Sequence, residues 1–115
     1  MLNNNTLKKI LVAIDLSQSS LNALDLGSNM AIRNNASLAL VYVDDQLFSN
    51  DSHDPLSSTN ADNTEDILQA LRINLTKKHN LNASVHILKG FVSDSIIRFS
   101  NEWSADLIIM GTHGA

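Results

Sequence analysis

Four short apolar runs alternate along the chain with stretches in which apolar residues recur every three or four positions. The runs are rich in Ile, Leu and Val, which is typical of strands buried on both faces of a parallel sheet. The pattern predicts strands at 8–14, 37–43, 84–89 and 106–110. Each run is followed by a polar segment, so every strand has a clear end.

Three helices are predicted between these strands. The first follows a polar stretch rich in helix-capping residues and ends near Asn34. The second begins where Asp62 and Glu65 resemble a capping box. It runs to about His79. In the third, Ser93 or Asp94 supplies the cap, and one face carries the apolar residues Val92, Ile96, Phe99 and Trp103.

Residues 44–63 differ in kind from the rest of the chain. They are polar, lack any periodicity and contain Pro55, the only proline. A segment of this length and composition is predicted to be a mobile loop, which is unusual inside a small domain.

The alternation of strands and helices predicts one α/β domain over 1–115, a doubly wound parallel sheet with right-handed crossovers. In such folds ligands bind outside the carboxyl ends of the strands, where the strand order reverses. That rule selects Asp15 after the first strand, Val43 and Asp44 after the second, and residues 111–114 after the fourth.

The chemistry of these segments suits a phosphorylated ligand. Gly111 and Gly114 let backbone N–H groups approach an anion closely, although glycine also ends strands for steric reasons. Asp15 could hold a ribose hydroxyl or a phosphate-bound metal ion, or it could simply begin the helix as a turn residue. Val43 offers backbone groups that could read an adenine edge, and His113 could touch phosphate or face solvent.

Composition narrows the function classes. The 115 residues include no cysteine, which excludes disulfides, thiolate catalysis and Cys-ligated zinc. The net charge is −4 and the basic residues are scattered, which argues against nucleic acid as a partner. No apolar stretch is long enough for a membrane span, and the N-terminus does not resemble a secretory signal. We therefore expect a cytoplasmic protein with no membrane partner.

Several nucleotide-binding motifs are absent, among them the P-loop and the dinucleotide-binding glycine fingerprint. A phosphoacceptor receiver would need an acidic pair after the first strand, where Asp15 stands alone. An ATP-pyrophosphatase enzyme would need a glycine-rich loop there, and residues 15–20 contain no glycine. The sequence therefore gives little support to an ATP-pyrophosphatase function.

Two segments resemble the universal stress protein family. The first is KILVAIDxSxxS over 9–20, and the second, more specific one is ADLIIMGTHG over 105–114. The likeness extends over nearly the whole chain apart from 44–63. It implies an adenine-nucleotide-binding fold with strand order 3-2-1-4-5, in a family that contains both ATP binders and proteins that do not bind ATP.

The resemblance also implies a set of binding residues. Gly111 and Gly114 match the first pair of the family's G-x2-G-x9-G-[ST] motif. Asp15 matches the acidic residue near the ribose, where it would meet nucleotide-bound Mg indirectly, and Val43 matches the residue whose backbone meets adenine. The pocket wall is expected to include two further residues, Ala13 and Met110, and His113 lies within the glycine loop.

The sequence stops one residue after Gly114, so the second half of that motif, the last helix and the fifth strand are absent from it. The fourth strand is then expected to be an exposed apolar edge. We expect the domain to be incomplete at its C-terminus and to continue in a longer chain, either as a single domain or as the first of a tandem pair.

Two functions follow. The first is a stress-response module that binds ATP, ADP or AMP, with no residue suited to serve as a general base and at most slow ATP hydrolysis. The alternative is an interaction module without nucleotide, acting through homodimerisation or domain pairing.

Overall fold

The computed structural model describes residues 7–45 and 57–111, apart from the side chains of 57–62. Seven elements follow one another along the chain. They are β1 (Lys9–Ala13), α1 (Gln18–Asn34), β2 (Ser37–Asp44), α2 (Ser57–His79), β3 (Ala83–Lys89), α3 (Val92–Trp103) and β4 (Leu107–Met110).

The four strands form one parallel sheet in the order β3-β2-β1-β4. This confirms the predicted parallel α/β sheet and the first four positions of the predicted strand order. The order reverses between β3 and β4, so the carboxyl ends of β1, β2 and β4 surround the switch point at which such folds bind ligands.

Helices cover both faces of the sheet. On one face, α1 and α2 pack through Leu24, Ala31 and Leu68 against buried residues of β1 and β2. On the other face, α3 packs through Ile96, with Phe99 and Trp103 beside it. β1 and β2 carry buried side chains on both faces, which explains their nearly continuous apolar sequences.

α1 begins and ends at side chains suited to those positions. The hydroxyl of Ser17 accepts a hydrogen bond from the Ser20 N–H, and Asn35 ends the helix at φ 54°. The Ala36 N–H then donates to the Ala31 carbonyl at 2.9 Å, the bond that closes a Schellman motif. The predicted bounds of α1 are therefore confirmed.

Two expectations about helix starts are wrong. α2 begins at Ser57, so residues 57–63 are helical rather than part of a loop, and Asp62 and Glu65 lie inside the helix instead of capping it. The sequence has no Pro or Gly between 56 and 89, and an established helix gains a hydrogen bond for each added residue. Residues 46–56 of the proposed loop lie outside the described residues.

α3 begins two or three residues earlier than the predicted cap at Ser93 or Asp94 implies, at Val92. Phe91 occupies the cap position and makes no side-chain capping bond there. Ser93 and Asp94 fall inside the first turn, where the Asp94 carboxylate complements the helix dipole instead of serving as a cap.

β4 is the edge strand of the described sheet, in line with the expectation from the sequence. Leu107 and Ile109 pack toward α1, whereas Ile108 and Met110 on the opposite face are 40% and 52% exposed. One face of this strand is therefore open and apolar.

Candidate functional site

A cavity of about 400 Å³ opens at the carboxyl ends of β1, β2 and β4. Its volume is in the range of small-molecule sites. Its wall is formed by Ala13, Ile14, Asp15, Ser20, Val41, Tyr42, Val43, Asp45, Val92, Ile96, Met110 and Gly111.

Five residues selected from the sequence line this one cavity, although they come from three distant parts of the chain. They are Ala13, Asp15, Val43, Met110 and Gly111. His113 and Gly114 lie outside the described residues.

Asp15 is held in the turn that leads into α1. One of its carboxylate oxygens, Oδ1, accepts a hydrogen bond from the Ser17 N–H at 2.9 Å. The Ser20 hydroxyl accepts from the Asp15 N–H at 3.3 Å and donates to the Ser17 carbonyl at 3.0 Å. Asp15 therefore forms the Asx turn that sequence reasoning offered as one alternative, and its carboxylate also faces the cavity.

The backbone of Val43 points toward the cavity side of the sheet. The pairing of β2 with β1 ends at Val41, whose carbonyl accepts from the Ile14 N–H at 2.8 Å. Backbone groups alternate in direction along a strand, and the Asp44 carbonyl points the other way, toward β3, where it accepts from Gly90. The N–H and C=O of Val43 therefore face the β1 side, beyond the end of that ladder.

Gly111 is required by the close approach of β4 to α1. A Cβ at this position would lie 2.6 Å from the Ser19 carbonyl carbon and 2.6 Å from the Ser20 nitrogen. Both atoms belong to the backbone of the first helical turn, so they cannot move aside as a side chain could. The glycine therefore brings the end of β4 against α1 and closes one wall of the cavity.

The Tyr42 phenol lies in an acidic part of the cavity wall. Burial raises the pKa of its phenol, and the nearby carboxylate of Asp44 raises the pKa further, with smaller contributions from Asp45 and Asp15. A hydrogen bond to Thr64 of α2 opposes the shift. The phenol is therefore neutral at physiological pH, and its surroundings are negative.

Sequence reasoning missed several members of the wall, including Ser20, Tyr42 and Asp45. Val92 and Ile96 were expected on the apolar face of α3, but not in the site. The order of the elements could have placed them there. α3 begins after the carboxyl end of β3, at the same edge of the sheet as the carboxyl end of β1.

His86 lies away from this cavity, on the face of β3 that packs against α3. Its Nε2 is 2.9 Å from the Ser84 hydroxyl, its ring centroid is 4.5 Å from that of Phe99, and burial lowers its pKa. It is therefore a partly buried residue with polar and aromatic partners.

Among the described residues, no group of three or more His, Asp or Glu side chains is arranged to hold a metal ion. None of the described helices is both long enough and apolar enough to cross a membrane.

Comparison with known proteins gives a consistent result. The model of the universal stress protein family matches residues 6–115. Universal stress protein A homolog 1 of Coxiella burnetii is 32% identical over an alignment 118 residues long. The alignment covers 93% of this chain and 77% of that protein.

Solved structures agree with this match. A universal stress protein from Burkholderia pseudomallei superposes with a TM-score of 0.73 at 28% identity, over 96% of this chain and 85% of the other. A universal stress protein solved in complex with cAMP has a TM-score of 0.65 at 20% identity, over 90% of this chain and 71% of the other.

Proposed function

Because the chain belongs to the universal stress protein family, we propose that its cavity binds an adenine nucleotide such as ATP, ADP or AMP and that the protein works as a regulatory module in a stress response. The observation that carries the proposal is the convergence of Asp15, Val43 and Gly111 on one cavity at the switch point of the sheet.

The wall of the cavity suits the parts of an adenine nucleoside. Val43, Val92 and Met110 offer apolar surface for a purine ring, and the N–H and C=O of Val43 face the side from which an adenine edge could approach. The carboxylate of Asp15 is placed to accept hydrogen bonds from ribose hydroxyls. A related protein of this fold was crystallised with cAMP, which supports an adenine ligand.

Binding is favoured over catalysis by the residues of the wall. Tyr42 has a raised pKa and is a poor base, and Asp15 is engaged with the N–H of Ser17. Magnesium would enter with the phosphates, and Asp15 would meet it only through the nucleotide. His113, which could touch phosphate, lies outside the described residues.

Isothermal titration calorimetry with AMP and magnesium tests the proposal. V43P removes the N–H that faces the β1 side and spares the ladder to β3, which uses Tyr42 and Asp44. Loss of one hydrogen bond should weaken binding about three- to tenfold. Circular dichroism establishes whether the variant is folded.

A matched pair of substitutions controls for general effects on β4. Met110 lines the cavity, whereas Ile108, two residues earlier on the same face, does not. M110A should weaken AMP binding and I108A should leave it unchanged. Equal effects of the two substitutions, or no measurable heat with the unsubstituted protein, would reject nucleotide binding at this cavity.

A second candidate function, association without nucleotide, is favoured by a different observation. Ile108 and Met110 form an open apolar face on the edge strand β4. Sedimentation equilibrium tests it: an I108K substitution should shift a self-associating protein toward the monomer, and a protein that is monomeric at every concentration excludes homodimerisation.

A further inference from the structure

The basic residues of the chain lie outside the wall of the cavity. The chain has eight Lys and Arg residues, each within the described ranges, and none of them lines the wall. They are Lys8, Lys9, Arg33, Arg72, Lys77, Lys78, Lys89 and Arg98. A ligand in the cavity therefore meets no lysine or arginine side chain there.

Most of these basic residues lie at the opposite edge of the sheet. Lys8 and Lys9 are at the start of β1, Arg33 is in the last turn of α1, and Lys77 and Lys78 are in the last turn of α2. Helices that connect parallel strands end at the amino edge of the sheet. Lys89 is at the carboxyl end of β3, which β2 separates from β1.

Carboxylates, by contrast, are concentrated at the cavity. Asp15 and Asp45 belong to its wall, and Asp44 is close enough to raise the pKa of the Tyr42 phenol. A phosphate group in this cavity would therefore lie near two or three negative charges. Like charges repel more strongly as their separation falls, so each negative charge added to the ligand should weaken its binding.

The first turn of α1 is the backbone element best placed to offset this repulsion, but part of it is already engaged. The Ser17 N–H donates to Asp15 Oδ1, and the Ser20 N–H donates to the Ser17 hydroxyl at 3.2 Å. The carboxylate of Asp15 thus occupies a donor that a phosphate oxygen could otherwise use.

We propose that this cavity selects adenine ligands by charge, binding adenosine and the singly charged cAMP more tightly than ATP unless a divalent cation accompanies the triphosphate. The inference rests on the proposed function, since it assumes an adenine ligand in this site. It assigns Asp45, together with Asp15, the role of disfavouring ligands that carry added negative charge.

Calorimetry at low ionic strength with five ligands tests this order. Adenosine, cAMP, AMP, ADP and ATP are each titrated into the full chain in EDTA and again in magnesium. In EDTA the dissociation constant should rise about three- to tenfold for each added negative charge. Magnesium should reduce the penalty for ATP and leave adenosine unaffected.

A matched pair of charge-neutralising substitutions separates the local effect from the net charge. D45N should lower the ratio of the ATP and adenosine dissociation constants in EDTA several-fold. D25N makes the same change of net charge on the exposed face of α1, away from the cavity, and should leave the ratio within about twofold.

The outcomes distinguish this inference from the function on which it rests. ATP binding as tightly as adenosine in EDTA, or equal effects of D45N and D25N, overturns charge selection and leaves nucleotide binding intact. Failure of all five ligands to bind overturns the proposed function and the charge selection with it.

Discussion

Glycine at position 111 is favoured both by steric packing and by the proposed binding of a phosphorylated ligand. Sequence reasoning selected it because glycine allows backbone N–H groups to approach a phosphate. In the structure, a Cβ there would meet the backbone of Ser19 and Ser20 at 2.6 Å. The glycine is thus needed for packing whether or not a ligand is bound.

An alanine at this position should therefore destabilise the fold. G111A places a methyl group against immovable backbone and should lower the free energy of unfolding by about 1–3 kcal/mol. G27A is the matched control: its Cβ also meets an atom at 2.6 Å, but that atom is a side-chain methyl of Val12, and alanine regains up to about 1 kcal/mol of helix propensity. Urea denaturation should rank G111A as the less stable variant, and the reverse order would contradict this account of Gly111.

Asp106 joins β4 to the start of β1 at the edge of the sheet opposite the cavity. Its Oδ2 accepts hydrogen bonds from the N–H groups of Lys8 and Lys9, both at 2.9 Å. The N–H of Lys8, and then that of Lys9, lowers the pKa of the carboxyl. The charged form is therefore favoured by folding.

This lowered pKa predicts an acid-sensitive contribution to stability. The contribution is fully present above the unfolded-state pKa of about 4 and is lost as pH falls through the lower folded-state pKa. D106N should therefore be less stable than the unsubstituted protein at pH 7, and the difference should shrink below about pH 4. Urea denaturation across this range measures it, and a difference that is constant with pH would contradict the assignment.

At the scale of elements, α2 shows where sequence patterns lose their information. The apolar period identified the helix from Ile67 to Leu75, but residues 57–63 are polar apart from Ala61 and gave no period to detect. The cap of α3 was missed for a related reason: Ser93 and Asp94 are good capping residues, yet the backbone places Phe91 at that position. Helix termini depend on backbone geometry that side-chain patterns record weakly.

The packing of α2 predicts unequal losses of stability for substitutions at two adjacent residues. Leu68 is fully buried against the sheet, whereas Ile67 is 42% exposed. L68A should lower the free energy of unfolding by about 2–5 kcal/mol, and I67A should cost less than about 1 kcal/mol. Thermal or urea unfolding compares them, and similar losses would mean that α2 packs through a different face.

At the scale of the whole molecule, the topology could be predicted because each level of the sequence agrees with it. Strand runs, helical periods and their alternation all require a parallel sheet, and the crossover rule then fixes where a ligand site forms. Asp15, Val43 and Gly111 were found in this way, whereas Ala13 and Met110 were expected only from the resemblance to universal stress proteins. Tyr42 and Asp45 were not found, because their place in the wall depends on where β2 outruns β1, which only the register reveals.

The charge at the cavity also differs from that of the molecule as a whole. The carboxylates of the cavity lie at one edge of the sheet, and five of the eight basic residues lie at the other, in β1 and the last turns of α1 and α2. The wall carries the carboxylates of Asp15 and Asp45 and no lysine or arginine, so the site is more acidic than the net charge of −4 indicates.

The central claim is that an adenine nucleotide binds at the carboxyl ends of β1, β2 and β4. A ¹H–¹⁵N correlation spectrum of the full chain, recorded during a titration with AMP and magnesium, tests it most directly. The account predicts saturable shifts of the Asp15, Val43 and Gly111 amides, with the Lys9 and Asn82 amides at the opposite edge unchanged. Shifts confined to that opposite edge, or a spectrum unchanged at millimolar AMP, would contradict it.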